Sequence, residues 1–138
     1  MAKISGPLLD RIDLHVEAPA VPYCELTSQP SGESSAVIRA RVNAARQRQL
    51  ARFSEHPHLY CNAHMESRDI RRFCQVDDRA FDLLRAAITG LGLSARAYDR
   101  ILKVSRTIAD LAGEEDIRAE HVSEAIQYRA LDRAGWAG

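Results

Sequence analysis

The sequence predicts a mainly helical protein, a bundle of about five helices that follows a single short strand or loop. Apolar residues recur at helical spacing over most of the chain after residue 33. Helix-capping residues and glycines separate these periodic stretches. Clear alternation of apolar and polar residues is confined to residues 10–18, and no later stretch offers a second strand. The pattern therefore favours a helical bundle with a short extended lead-in.

The lead-in is predicted to be a strand, with Ile12, Leu14 and Val16 on one face. A single strand cannot pair its own backbone groups. We therefore expect residues 1–18 to be the end of a core that belongs to a larger protein. Residues 19–33 are rich in proline and serine, which is typical of a linker.

The helical region is predicted over residues 34–133, before a frayed tail at 134–138. The expected helices span about 34–53, about 67–74, from an N-cap at Asp77 to Gly90 or Gly92, from an N-cap at Ser94 to Gly113, and about 119–131. The predicted core residues are, helix by helix, Ile38, Val42, Ala45, Gln49 and Phe53; Ile70, Phe73 and Cys74; Ala80, Phe81, Leu84 and Ile88; Ala97, Ile101, Val104, Ile108 and Leu111; and Val122, Ala125 and Ile126.

Composition narrows the class of function. The 138 residues suit one domain, and a net charge of zero gives no global field that favours nucleic acid or a membrane surface. Three cysteines without C-x-x-C spacing argue against a disulfide framework, so a cytoplasmic setting is expected. All but two of the 19 basic residues are arginine. Arginine suits bidentate contacts to phosphate or carboxylate, although a GC-rich genome produces the same bias.

Two arginines occupy positions that suggest a ligand. Arg11 interrupts an apolar run, either to pair with Asp10 or Asp13 or to reach something outside the domain. Arg96 falls in the first turn behind the Ser94 cap, where backbone N–H groups and the helix dipole attract an anion. Arg100, Lys103 and Thr107 share its helix face. The alternative for this second group is a solvated face paired with Asp99 and Asp110.

Two further groups are weaker candidates. In the helix at 34–53, Arg41, Arg48 and Arg52 flank one side of the apolar stripe and could contact nucleic acid, although such arginines usually reach past the stripe to solvent or pair with a neighbouring helix. The stretch "HPHLYCNAH" holds four side chains that can bind zinc: His56, His58, Cys61 and His64. Their spacing matches no closed tetrahedral site, so surface histidines are the simpler interpretation and no metal is expected.

Four blocks together resemble a known family: "GPLLDRIDLHVEAP", "GESSAVIRARVNAARQRQLARF", "LSARAYDRILKVSRTIADLAG" and "HVSEAIQYRALDR". They are similar to the C-terminal part of the magnesium-chelatase-like AAA+ ATPases, and more narrowly to the bacterial competence-associated branch that acts as a DNA helicase. The chain has no G-x-x-x-x-G-K-[ST] phosphate loop, so it is not expected to be a complete enzyme by itself.

The resemblance implies a helical lid that follows the end of an AAA+ core. It implies that Arg11 is an arginine finger for a neighbouring subunit's ATP, that Arg96 is the sensor-2 arginine for the ATP of its own subunit, and that Arg100 is a weaker cofactor contact. ATP and Mg²⁺ would be cofactors of the parent protein, with none bound to this chain alone. The implied partners are identical subunits of a hexameric ring and DNA held by the core, with no membrane. The oligomeric state of the chain itself stays open, a monomer included. A lid of a chelatase-type ring that remodels a protein, and a free-standing nucleic-acid-binding or interaction module, are the alternatives.

Overall fold

The computed structural model describes residues 11–23 and 32–134, with side chains described as far as Arg129. These ranges contain five α-helices and a 3-10 turn, and no strand. The helices are α1 (Ser35–Arg52), α2 (Ser67–Phe73), α3 (Asp78–Leu91), α4 (Ala95–Ala112) and α5 (Ala119–Ala134), and the turn is Asn62–His64. The predicted mainly helical class is confirmed. The start of the core segment (1–10), much of the linker (24–31) and the tail at 135–138 lie outside the described residues.

Local capping chemistry sets the helix boundaries at the predicted positions. The side chains of Ser34, Asp77 and Ser94 accept hydrogen bonds from the backbone N–H groups three residues further on. Gly92 and Gly113 end α3 and α4 with φ angles of 56° and 81°, a left-handed conformation that favours glycine. The sequence therefore contained enough local information to place these ends.

Helix α4 lies at the centre of the bundle. It packs against α1, α2, α5 and the 3-10 turn, while α3 packs mainly against α5. A parallel β-bridge between Val76 and Ile117 joins the segments that lead into α3 and α5. The buried apolar core is Phe53, Met65, Ile70, Cys74, Ala80, Leu84, Ile101, Leu102, Ala109, Ile117, Val122 and Ala125. None of the described helices is both long and apolar enough to cross a membrane.

Residues 11–18, predicted to be a strand whose sheet partners lie outside this chain, form no ladder with another described segment. Side chains of the predicted inner face are exposed, with Ile12 at 39%, Leu14 at 48% and Val16 at 72%. His15, on the opposite face, is partly buried. Isolated hydrogen bonds to α4 and α5 hold this segment, so the orientation of its side chains follows those contacts and not a sheet.

Four of the predicted core residues are exposed. In α1, Ile38 and Val42 are 42% and 44% exposed, and burial begins only at Ala45. The first half of this helix therefore extends beyond the described part of the bundle. Phe81 and Leu111 are likewise exposed, because the core contacts of their helices are made by neighbouring residues such as Ala80, Leu84, Ala109 and Asp110.

We expect Ser94→Ala to destabilise the domain by about 1 kcal/mol, since it leaves the N–H group of Ala97 without its cap. Urea denaturation of the 138-residue chain measures this change. Ser35→Ala, at an exposed position just inside α1, is the matched control. Equal stability losses for the two variants would contradict a structural role for the Ser94 hydroxyl.

Candidate functional site

An open cleft with a volume of about 230 Å³ lies beside the first turns of α4. Three structural elements form it: the helix itself, the 3-10 turn and the extended segment near residue 13. Its lining residues are Asp13, Ala63, Arg96, Asp99, Arg100 and Lys103. Both predicted cofactor-binding residues, Arg96 and Arg100, therefore line one cleft.

Most of the charged side chains in the cleft form hydrogen bonds or ion pairs with other groups of the same chain. Lys103 donates to the carbonyl oxygen of Ala63 at 3.0 Å, and Asp99 accepts from the Ser67 hydroxyl at 2.7 Å. Arg100 pairs with the carboxylate of Asp13. Its Nη1 atom also donates to the backbone oxygen of Arg11 at 2.7 Å.

Arg96 differs from these neighbours. Its side chain is exposed, and no hydrogen bond or ion pair engages it within the ranges that the structure describes. The Ser94 cap places it in the first turn of α4, where the positive end of the helix dipole adds to its charge. With three cations and two partnered carboxylates, the cleft is suited to an anion.

Arg11 is exposed and lies next to this cleft through its backbone. One of its two candidate partners, Asp13, pairs with Arg100, and the other, Asp10, is outside the described residues. The segment that carries Arg11 therefore contacts α4, the helix that carries Arg96. Sequence spacing alone could not show this proximity, because Arg11 and Arg100 are 89 positions apart in the sequence.

The three arginines proposed for nucleic acid have different surroundings. Arg41 forms two hydrogen bonds with Glu33, at 3.0 and 2.8 Å. These bonds raise the pKa of Arg41 and lower the pKa of Glu33. Arg48 is exposed beside Gly113, whereas Arg52 turns inward to Asp110. Nucleic-acid binding by these residues stays a prediction.

A buried polar network links α1 to α4 around the carboxylate of Asp110, whose side chain is fully buried. Its Oδ2 atom accepts from Arg52 at 2.9 Å and from Asn62 at 2.9 Å. Arg106, also buried, lies 3.3 Å from Oδ1. Burial lowers the pKa of Arg106, and the charge of Asp110 opposes that shift. Sequence reasoning missed this network, although the i, i+4 spacing of Arg106 and Asp110 was a signal for one of its pairs.

The histidine-rich stretch lines a separate open cleft together with the start of α2. His56 packs edge-on against Phe73, and His64 packs edge-on against Tyr60. Within the described residues, no three His, Cys, Asp or Glu side chains are grouped closely enough to hold a metal ion. Two of its three histidines, His56 and His64, pack against aromatic rings.

The domain is a helical bundle with a cationic cleft at the start of its central helix, α4. Residues 32–129 match the family described as magnesium chelatase, subunit ChlI C-terminal. The chain belongs to that family.

Similar proteins narrow the relationship further. The chain is 45% identical over 132 residues to the competence protein ComM of Haemophilus influenzae and 43% identical over 132 residues to the uncharacterised protein YifB of Escherichia coli. It is 35% identical over 129 residues to the uncharacterised protein Rv2897c of Mycobacterium tuberculosis. These alignments cover 94–95% of this chain and 25% of each relative. The chain therefore spans about a quarter of the length of these relatives, and the resemblance to the competence-associated branch is confirmed.

Proposed function

We propose that this chain is the C-terminal lid of a cytoplasmic, hexameric AAA+ ATPase that couples ATP hydrolysis to DNA remodelling. Branch migration during natural transformation or recombination is the proposed reaction of the whole protein. Family membership and the similarity to a competence protein support this proposal. The observation that carries it is Arg96, an exposed guanidinium without a described partner in a cationic cleft.

The proposed role of the cleft follows from its charge. A terminal phosphate of ATP can accept from the Arg96 guanidinium while it is attracted by the start of α4. Arg100, one helical turn further along, is engaged by Asp13 and by the backbone oxygen of Arg11, so only the Arg96 guanidinium is proposed to contact the phosphate directly. ATP supplies the free energy of phosphoryl transfer, with Mg²⁺ neutralising part of the phosphate charge. The cations of the cleft fit the phosphates, whereas its carboxylates are already engaged by Arg100 and Ser67.

A lid of this kind transmits nucleotide state as a rigid body. Helix α4 is continuous from the cleft to the centre of the bundle, and the Arg52–Asp110 ion pair fixes it to α1. A displacement at Arg96 would therefore move several helices together. This rigidity supports a sensing role for the domain.

A chelatase-type ring that remodels a protein partner is the second candidate, and the matched family favours it. The two candidates differ in what stimulates the ATPase. Branched DNA should accelerate ATP turnover by the full-length protein under the first candidate and leave it unchanged under the second. A free-standing nucleic-acid module is less well supported, because Arg41 and Arg52 are engaged by carboxylates.

In the full-length protein, we expect Arg96→Ala to weaken ATP binding by about 10- to 100-fold, as loss of a hydrogen bond to a charged phosphate predicts. Titration with a fluorescent ATP analogue measures the affinity. The melting temperature of the 138-residue chain should hardly change, since no described side chain depends on Arg96. Arg85→Ala, which removes an exposed arginine of α3, is the matched control. Unchanged affinity, or a large drop in melting temperature, would argue against the sensor assignment.

A further inference from the structure

Arginines from two helices hold the backbone immediately after the proposed finger, Arg11. Arg100 of α4 donates to the carbonyl oxygen of Arg11 at 2.7 Å and pairs with Asp13. Arg129 of α5 donates to the next carbonyl oxygen, that of Ile12, at 2.8 Å. Two adjacent peptide groups are thereby attached to two different helices. We call Arg100, Arg129 and Asp13 the clamp.

A further backbone bond continues the attachment. The N–H group of His15 donates to the carbonyl oxygen of Tyr128 at 3.0 Å, one residue before Arg129. Segment 11–15 is thus fixed at four points along five residues. Its attachment does not require a neighbouring strand.

The clamp bonds are of a strong type. A carbonyl that accepts from a guanidinium forms a charge-assisted hydrogen bond, stronger than a bond between neutral groups. Arg129 is only 2% exposed, so its charge is held away from water at this joint. Fixing the carbonyls of residues 11 and 12 sets the peptide planes that follow the Arg11 Cα atom. The point from which the Arg11 side chain extends is therefore determined by α4 and α5.

We propose that Arg100 and Arg129 are positioning residues that hold Arg11 in register with α4. This inference rests on the proposed function, in which Arg11 reaches the ATP of a neighbouring subunit. Arg96 and Arg100 are four residues apart on α4, so they lie on the same face of the helix. Movement of α4 when ATP binds at Arg96 is then passed through Arg100 to the segment that carries Arg11. The clamp thus couples ATP binding in one subunit to the position of the arginine finger that acts on the ATP of the next subunit.

The first test measures the clamp without ATP. In the 138-residue chain, Arg100→Gln and Asp13→Asn should each accelerate amide hydrogen exchange at His15 by about 10-fold, because the segment opens more often once a charged bond is lost. Residue-resolved NMR exchange gives this rate. Arg118→Gln breaks the exposed pair with Glu114 and is the matched control, with no change expected at His15. An unchanged His15 rate in Arg100→Gln would overturn the clamp.

The second test asks whether the clamp acts through Arg11. In the full-length protein, Arg100→Gln should lower kcat for ATP hydrolysis by about 10- to 100-fold, the expected cost of a displaced contact group, with KM nearly unchanged. In an Arg11→Ala background, Arg100→Gln should cause no further loss. Arg100→Lys keeps the charge and should restore part of kcat.

The outcomes separate this inference from the proposed function. A weaker ATP affinity in Arg100→Gln, or an additional loss in the double variant, would show that Arg100 acts on ATP directly and overturn the positioning role. Normal kcat in Arg100→Gln beside an impaired Arg11→Ala would overturn the positioning role alone. Normal turnover in Arg11→Ala itself would overturn the finger assignment and the positioning role together.

Discussion

Replacing Arg11 with alanine is expected to lower kcat for ATP hydrolysis by the assembled full-length protein by about 10³- to 10⁵-fold. An arginine finger neutralises charge that develops on the phosphoryl group during transfer, so its effect appears in the transition state. ATP binding by the subunit's own site should be nearly intact. Steady-state turnover and equilibrium binding of an ATP analogue measure the two quantities separately.

The structure makes this substitution a clean test. Arg100 holds the backbone oxygen of Arg11, and alanine retains that oxygen. The exposed guanidinium can therefore be removed while the attachment of the segment is kept. Arg11→Lys is the matched variant, since it keeps the charge and loses the planar, bidentate geometry. Turnover of Arg11→Ala close to that of the native protein would contradict the finger assignment.

If Arg11 acts on the ATP of a neighbouring subunit, mixing two kinds of inactive subunit should restore part of the ATPase activity. Subunits with Arg11→Ala can be mixed with subunits whose own ATP site is inactivated outside the present chain. In such rings, some intact ATP sites face an intact finger from the neighbouring subunit, so partial activity should return. If mixing restores nothing, Arg11 does not act on a neighbouring subunit in the way proposed.

Much of the fold was predictable because helix ends depend on local chemistry. Ser34, Asp77 and Ser94 each cap an amide only three residues away. Gly92 and Gly113 supply the left-handed conformations that end two helices. Such signals need no knowledge of the rest of the molecule, so the sequence could place the helices within a few residues.

The errors arose where a periodic pattern needs a partner. Ile38 and Val42 continue the apolar stripe of α1, yet a stripe does not show how far the neighbouring helices extend. The alternation in residues 12–16 has the period of a strand, but period alone cannot provide a second strand. Contacts with α4 and α5 decide the conformation of that segment instead.

The features of the candidate site also divide into those that local sequence could predict and those that it could not. The position of Arg96 in the first turn followed from the Ser94 cap and is confirmed as a position, although its role is a proposal. The contact of Arg100 with Asp13 and the Arg11 carbonyl joins residues 87 and 89 positions apart. The partner of Arg52 is 58 positions away. No pattern among neighbouring residues in the sequence indicates pairs that are so far apart.

We expect Asp110→Ala to destabilise the domain by about 3–5 kcal/mol, the range for removing one partner of a buried ion pair. The carboxylate is shared by Arg52 of α1, Arg106 of α4 and Asn62 of the 3-10 turn. Arg106 would keep its bonds to the backbone oxygens of Glu114 and Glu115 but lose its counter-charge. Arg52 would lose its ion pair and keep its hydrogen bond to the side-chain oxygen of Asn62. Urea denaturation of the 138-residue chain, followed by circular dichroism, measures the loss.

A control at an exposed pair isolates the effect of burial. Glu114→Gln removes a carboxylate from the solvent-exposed pair with Arg118 and should cost less than about 1 kcal/mol. Asp110→Asn keeps the shape of the side chain and remains informative if the alanine variant does not fold. We expect it to be more stable than Asp110→Ala and less stable than the native chain, because an amide oxygen can still accept while the charge is lost. Equal losses for Glu114→Gln and Asp110→Asn would show that the Asp110 charge does not secure α1 to α4, and the rigid-body transmission proposed for the lid would lose its physical basis.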